Sequence, residues 1–402
     1  SNLRGDLHRI FAAVPGHSLP SILFFGPMLP LLRPVPTGDD PILFSNSRYP
    51  LYWPAIAYDE YTGKAWKVDD TESRLLTSFD AVPSDEEEEE IAAGGAMRSP
   101  SSVVYSVQMY VDSPYLLVPG DPLEVDPDAR QEIPSPKAFQ IDLASSERNS
   151  DLPADLQSLA AKLSATTSRT GGSLNPGDIP SDLVVTRIIK ELSPSGSRST
   201  IDLEIGVASY YSELQQALQS QGTVVGLDVT RTLLGRSAVA YTPLKPTREY
   251  EVVAELNMAS EITLRNSPQK YPPGILDRYL QVPENLPSRV SVLARNLVAG
   301  ASNPYDKALA IEAYLRTLQY TTASNPIPHD ADTVDYFLFE SGTGYGDYFA
   351  SAMVVMLWTQ GIPARLVLGF GPGVQDTEKQ GFTVRDKDSH SWPEVYFTNI
   401  GW

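Results

Sequence analysis

The first two thirds of the chain are dominated by apolar positions that recur at every second residue. Residues 103–111, 201–205 and 250–256 all alternate apolar with more polar side chains. A period of two places successive side chains on opposite faces of a sheet, so these segments are predicted to be strands. Strands are also predicted at 138–143 and in the aromatic-rich stretch 52–66. We therefore expect a β-rich N-terminal region over 1–280, with room for two subdomains.

Two short helices are predicted within this region. Apolar side chains recur at helical spacing over 153–165, at Leu156, Leu159, Ala160 and Leu163. A second short helix is predicted over 210–218. Strands with one or two internal helices are typical of an antiparallel sandwich or a barrel-like region.

Beyond about residue 284 the apolar spacing becomes helical. Leucine and valine recur every three or four residues over 286–297, and a second helix opens with Asn303 as N-cap and Pro304 at its first position. A glycine-rich loop leads into a third helix over 347–359. Helices followed by strands indicate an α+β unit over residues 284–402, in which the predicted strands are 364–370, 381–385 and 392–397.

Charge and composition exclude several classes of function. The chain has 402 residues, with 31 Lys and Arg against 50 Asp and Glu, a net charge of −19. Such a surface repels phosphate backbones and anionic lipid heads, so nucleic-acid binding and a polybasic membrane patch are excluded. With no cysteine and only four histidines, no metal or organic cofactor is expected. The acidic run 85–90 is predicted to be a solvated loop rather than a metal site.

No segment of the sequence is long and apolar enough to predict a transmembrane helix. The nearest stretch, residues 22–32, is short and is interrupted by Pro27 and Pro30. No signal peptide is predicted either. The sequence begins without methionine and ends at Gly401-Trp402, and we expect it to be a piece cut from a longer protein.

Three short motifs, in a fixed order, carry a family resemblance. They are Tyr345-Gly346-Asp347-Tyr348-Phe349-Ala350-Ser351-Ala352-Met353, Gly361-Ile362-Pro363-Ala364-Arg365 and His390-Ser391-Trp392-Pro393-Glu394-Val395-Tyr396. Together they resemble the transglutaminase-like superfamily, and most closely its bacterial membrane-anchored branch. Weaker similarity extends to residues 58–63 and Trp66. The resemblance implies a papain/transglutaminase-like α+β core over 284–402, truncated at its C-terminal end.

The resemblance also implies a chemistry and a location. In the family a cysteine opens the helix, a histidine on a following strand is its base, and an aspartate on the next strand orients the histidine. A thiolate at a helix N-terminus attacks a glutamine amide or a peptide bond, and the thioester passes to an amine or to water. The substrate would be a protein or peptide. The implied location is the extracytoplasmic face of the membrane, anchored only through segments outside this sequence.

The chain departs from the family pattern at the nucleophile. Gly346 occupies the cysteine position, His390 occupies the base position, and the orienting aspartate would lie beyond Trp402. Glycine has no side chain, so the chain as written is predicted to be inactive in acyl transfer. The other residues expected to line the cleft are Tyr345, Asp347, Asp388 and Trp392.

Two explanations for Gly346 stay open at this point, and so does the question whether the chain is an enzyme. One is a natural pseudoenzyme, which we favour because deliberate knockouts more often use alanine or serine, and the other is a replaced cysteine. The competing function is a non-catalytic extracellular module that binds a protein or peptide or has a structural role. An open cleft between Gly346 and His390 would favour a site of the enzyme type, and a filled one the structural module. His8, His17 and His329 are assigned no role.

Overall fold

A computed structural model of the chain describes residues 25–31, 37–76, 101–167, 175–180, 183–192, 198–203, 210–231, 238–323 and 327–402. The acidic run 85–90, His8 and His17 lie outside these residues. The described residues divide into two compact units, one drawn from Ser1–Ile133, Ala238–Lys270 and Tyr279–Trp402, the other from Pro134–Ser237 and Tyr271–Arg278.

Among the described residues, strands come first and most of the α-helices lie after residue 260. The strands are β1 Met28–Pro30, β2 Pro41–Ser45, β3 Trp53–Tyr58, β4 Glu60–Tyr61, β5 Ala65–Lys67, β6 Thr71–Leu76, β7 Ser101–Met109, β8 Asp121–Asp126, β9 Ala129–Pro134, β10 Lys137–Asp142, β11 Leu183–Glu191, β12 Arg198–Asp202, β13 Thr223–Arg231, β14 Ala240–Pro243, β15 Glu249–Leu256, β16 Gln319–Tyr320, β17 Thr343–Gly344, β18 Ala364–Phe370, β19 Val374–Asp376, β20 Gly381–Arg385 and β21 Ser389–Val395. The α-helices are α1 Ala154–Thr167, α2 Tyr210–Gln219, α3 Glu261–Arg265, α4 Pro273–Tyr279, α5 Ser288–Leu297, α6 Pro304–Leu315, α7 Thr333–Tyr336 and α8 Gly346–Thr359. The α+β class predicted from the sequence is confirmed.

The smaller unit, Pro134–Ser237 with Tyr271–Arg278, is built on an antiparallel sheet. Its strand order is β10-β13-β11-β12. The predicted helices over 153–165 and 210–218 correspond to α1 and α2, and their apolar faces belong to the same core as the sheet. Its fully buried members include Leu156, Leu163, Val185, Ile188, Leu214 and Leu227.

The larger unit contains the predicted C-terminal core. A six-stranded sheet has the order β19-β20-β2-β7-β15-β8, and a three-stranded sheet has the order β21-β18-β3. Strands β2 and β3 come from the N-terminal region, yet they pair with β20 and β18. The boundary between residues 1–280 and 284–402 stays a prediction. Strands from both sides of this predicted boundary belong to these two sheets.

Helix α8 lies at the centre of the larger unit. Its residues from Ala350 to Trp358 are all buried, and its sequence is apolar on almost every side. A helix of this kind is stable only when other elements surround it, and α8 contacts β18, β21, α5, α6 and α7. Its environment therefore fixes its position closely.

A hairpin near the N-terminus anchors α8 from one side. Strands β4 and β5 carry Tyr61 and Trp66. The indole Nε1 of Trp66 donates a hydrogen bond of 2.8 Å to Oγ of Ser351 in α8, and both residues are buried. The Trp66 ring also packs edge-on against Trp358, with ring centres 5.3 Å apart. Residues 58–63 and Trp66, which carry the weaker part of the family resemblance, thus belong to a segment that holds α8 in place.

No helix in the described part of the chain combines the length and the apolar character that a membrane crossing requires.

Replacing Ser351 with alanine tests this anchor. The change leaves the buried Trp66 Nε1 without its acceptor, so we expect a loss of about 1–3 kcal/mol in the free energy of unfolding. Denaturant titration measures it. The control is Ser291→Ala in α5, where the hydroxyl donates to the Ser288 carbonyl of its own helix at a more accessible position, and its effect should stay within about 0.5 kcal/mol. Equal effects of the two substitutions would contradict the anchoring role.

Candidate functional site

The first turn of α8 forms one side of the site. The short strands β16 and β17 pair in parallel, and Gly344 at the end of β17 leads directly to the helix. Tyr345 is the N-cap residue in an extended conformation, and Gly346 is the first helical residue. The N-terminal end of a helix carries a partial positive charge from its unpaired backbone N–H groups, so this end favours a negative atom at position 346.

Strand β21 forms the other side of the site. It pairs antiparallel with β18, which places His390 opposite Gly369. A glycine is required at 369 because a Cβ atom there would lie 2.1 Å from the carbonyl oxygen of Trp53 in β3. This close approach lets β3, β18 and β21 form one sheet, which positions the strand that carries His390.

The structure brings Gly346 and His390 together. A Cβ atom placed on Gly346 would lie 3.2 Å from Nδ1 and 3.3 Å from Cε1 of His390, and 3.5 Å from Oγ of Ser391. The imidazole therefore lies against the position where a nucleophile's side chain would start. A Cβ at 3.2 Å requires the ring to move by a few tenths of an ångström, and His390 is exposed, so it has room to do so.

The pKa of His390 is lowered below its ordinary value. Although the residue as a whole is exposed, the protein atoms beside its ring displace part of its water, and this desolvation disfavours the charged form. A neutral imidazole has one nitrogen that can accept a proton, which is what a general base needs.

Asp347 and Ser391 form a second link between the helix and the strand. Oγ of Ser391 donates a hydrogen bond of 2.7 Å to Oδ1 of Asp347. Burial raises the pKa of Asp347 to about 6, and the bond from Ser391 partly offsets this rise. Asp347 was among the residues predicted for the site, and Ser391 was not. The period of two along β21 gives no signal for Ser391, because alternation would place it on the face opposite His390, whereas both lie near position 346.

The remaining residues predicted for the cleft make their described contacts elsewhere. Tyr345 is buried with its ring centre 4.5 Å from that of Tyr348. Asp388 accepts a hydrogen bond from the backbone N–H of Arg385. The Trp392 ring lies 5.2 Å from that of Tyr52, which is half exposed. A cleft-lining role for Tyr345, Asp388 and Trp392 stays a prediction.

Metal ligands do not cluster in the part of the chain described. No group of three or more His, Cys, Asp or Glu residues among the described positions is arranged to hold a metal ion.

A family model agrees with this geometry. Residues 291–402 match the model described as the transglutaminase-like superfamily, and this range contains α8, β18, β21 and both sides of the site. Residues 291–402 form a transglutaminase-like core. The papain/transglutaminase-like resemblance drawn from the three motifs is confirmed at the level of the superfamily.

Two curated proteins are similar in sequence to parts of this chain. The chain is 41% identical over 157 residues to the uncharacterized protein YebA of Bacillus subtilis, a match covering 37% of this chain and 21% of YebA. It is 30% identical over 125 residues to a protein-glutamine gamma-glutamyltransferase of Pseudomonas aeruginosa, covering 31% of this chain and 19% of that protein. The matches span about a fifth of the length of each relative.

A solved structure also resembles the chain. The crystal structure of the periplasmic domain of TgpA from Pseudomonas aeruginosa is similar with a TM-score of 0.46 and 18% sequence identity, covering 91% of this chain and 86% of that one.

Replacing Asp347 with asparagine should change how stability depends on pH. The folded protein binds the Asp347 proton more tightly than the unfolded chain does, because burial raises the pKa from 3.8 to about 6. Stability contributed by this carboxyl group is therefore lost as pH rises through that window. We expect the free energy of unfolding of the parent, relative to Asp347→Asn, to fall from pH 3.8 to about pH 6.

Denaturant titrations across this pH range measure the difference. The lowered pKa of His390 makes stability rise with pH, which is opposite to the effect of Asp347. This contribution is present in both proteins, so it cancels in the comparison. Glu378→Gln, at an exposed carboxyl group, controls for the change in net charge. A difference between parent and Asp347→Asn that does not change with pH would contradict the assigned burial of this carboxyl group.

Proposed function

We propose that this chain is a transglutaminase-like module that binds a glutamine-containing protein or peptide at the start of α8, and that Gly346 leaves it without acyl-transfer chemistry. The observation that carries the proposal is the 3.2 Å between Nδ1 of His390 and a Cβ placed on Gly346. The base is in place and the position beside it lacks a side chain.

The chemistry that this geometry supports needs a thiol at position 346. The thiol would give its proton to the neutral His390 ring, and the thiolate would attack the carboxamide carbon and form a C–S bond. Ammonia would leave with the proton from His390, and the thioester would pass to an amine or to water. Gly346 offers no atom for the C–S bond, so the reaction stops at binding.

The helix end and the histidine would act together on such a thiol. Partial positive charge at the N-terminus of α8 stabilises a thiolate, and so does an imidazolium that forms beside it. Both effects lower the pKa of the thiol, which makes it nucleophilic below neutral pH. The helix end and His390 thus correspond to two parts of the papain-type site, whereas its nucleophile is missing at position 346.

The substrate class and the location are parts of the same proposal. The gamma-glutamyltransferase of Pseudomonas aeruginosa is named for action on protein-bound glutamine, and we extend that substrate class to this site. From the sequence resemblance we also propose an extracytoplasmic location, with membrane anchors outside the sequence given. A non-catalytic module that binds a protein or peptide, or has a structural role, is the competing function.

Replacing Gly346 with cysteine tests the proposal. The chain has no cysteine, so the introduced thiol is unique and its alkylation can be followed by mass spectrometry. At mildly acidic pH we expect iodoacetamide to react about tenfold faster with Gly346→Cys than with Gly346→Cys/His390→Gln, because the imidazole keeps more of the thiol ionised. Release of ammonia from a glutamine peptide, with and without an added amine, measures the restored reaction.

The controls separate a silenced enzyme site from a non-catalytic module. Gly346→Ala adds the Cβ without the sulfur and should release no ammonia. Fast alkylation and ammonia release in the cysteine variant alone would support the proposal. Slow alkylation that does not depend on His390, together with no ammonia release, would contradict it and favour the non-catalytic module.

A further inference from the structure

We propose that Asp347 is a positioning residue that acts on position 346 through Ser391. By accepting the hydroxyl hydrogen of Ser391, it turns the lone pairs of Ser391 toward whatever group occupies position 346. The inference rests on the proposed function in one respect, since it takes position 346 as the site.

The distances support this relay, by which we mean the path from Asp347 through the Ser391 hydroxyl to position 346. Oγ of Ser391 lies 2.7 Å from Oδ1 of Asp347 and 3.5 Å from a Cβ placed on Gly346. Ser391 is 3% exposed, so water has little access to its hydroxyl. A serine hydroxyl has one hydrogen and two lone pairs, and an ionised carboxylate can only accept. The single hydrogen is therefore committed to Asp347, and only lone pairs remain for position 346.

Two phenols interact electrostatically with Asp347, that of Tyr345 at the helix N-cap and that of Tyr58 on β3, and His390 lies beside the neighbouring position 346. Desolvation raises the pKa of both phenols well above the ordinary value, so both stay neutral near physiological pH. The hydroxyl of Tyr58 donates to the carbonyl of Gly26. Among the described groups named here, Asp347 and His390 are thus the two whose charge changes between mildly acidic and neutral pH.

The relay predicts whether a negatively charged atom at position 346 receives a hydrogen bond. A thiolate or oxyanion at position 346 receives no hydrogen bond from Ser391 while Asp347 holds the hydroxyl hydrogen. Removing the acceptor at 347 frees that hydrogen to point at position 346. In the Gly346→Cys protein, Asp347→Ala should therefore favour the thiolate and lower the pKa of the thiol.

A double-mutant cycle in the Gly346→Cys chain tests this relay. The pH dependence of iodoacetamide alkylation gives the acid dissociation constant of the unique thiol. We expect Asp347→Ala to increase this constant about tenfold when Ser391 is present, as for one hydrogen bond to a charged group. In the Ser391→Ala background the same substitution should have a clearly smaller effect.

Two further variants keep the test decisive. Asp347→Leu has a side chain of similar shape and no hydrogen-bond acceptor, so it covers the case in which Asp347→Ala fails to fold, and its effect should also shrink in the Ser391→Ala background. Glu378→Gln removes one exposed negative charge from the same unit and should leave the thiol unchanged. Melting temperatures establish that each variant is folded.

The outcomes separate the relay from the proposed function. Equal effects of Asp347 substitution with and without Ser391 would mean that its charge acts directly, and this would overturn the relay. No effect in either background would overturn it as well. Because the acid dissociation constant is measured without substrate, the relay can fail while ammonia release still supports the proposed function, and the reverse also holds.

Discussion

The burial of α8 from Ala350 to Trp358 is the constraint on which the rest of the site depends. An apolar helix surrounded by β18, β21 and three other helices has little freedom to shift. Its first turn therefore stays at a fixed distance from the strand that carries His390. The hydrogen bond from Trp66 to Ser351 and the one from Ser391 to Asp347 add directional contacts to this packing.

The consequence for chemistry is a site that has an imidazole beside position 346 but no nucleophilic side chain at that position. His390 is neutral and lies beside position 346, the helix end favours negative charge there, and Ser391 and Asp347 complete the surroundings. Each of these features would act on a nucleophile, and glycine provides none.

Much of the secondary structure could be predicted because its signals are local. The apolar spacing of α5, the alternation along β7 and β15 and the Asn303 cap of α6 all appear within a few residues of sequence. The pairing of β2 with β20 and of β3 with β18 could not be predicted in this way. Such pairing depends on packing between segments that are more than three hundred residues apart in the chain.

The candidate site likewise combines residues that have a local sequence signal with residues whose role depends on long-range packing. Gly346 and His390 could be named from short motifs, and the structure places them side by side. The role of Ser391 depends on how β21 packs on α8, so no pattern within β21 identifies Asp347 as its partner. The carboxylate of Asp388 accepts a local hydrogen bond from the backbone of Arg385, three residues earlier, and its place in the cleft stays a prediction.

The juxtaposition of Gly346 and His390 can be tested directly by nuclear magnetic resonance. The chain has only four histidines, and comparison with His390→Gln and Gly346→Ala assigns the ring and α-proton signals. We predict a nuclear Overhauser cross-peak between the Hε1 proton of His390 and the α-protons of Gly346. A folded protein that lacks this cross-peak would contradict the account, because the imidazole would then be too far from position 346 to serve as its base.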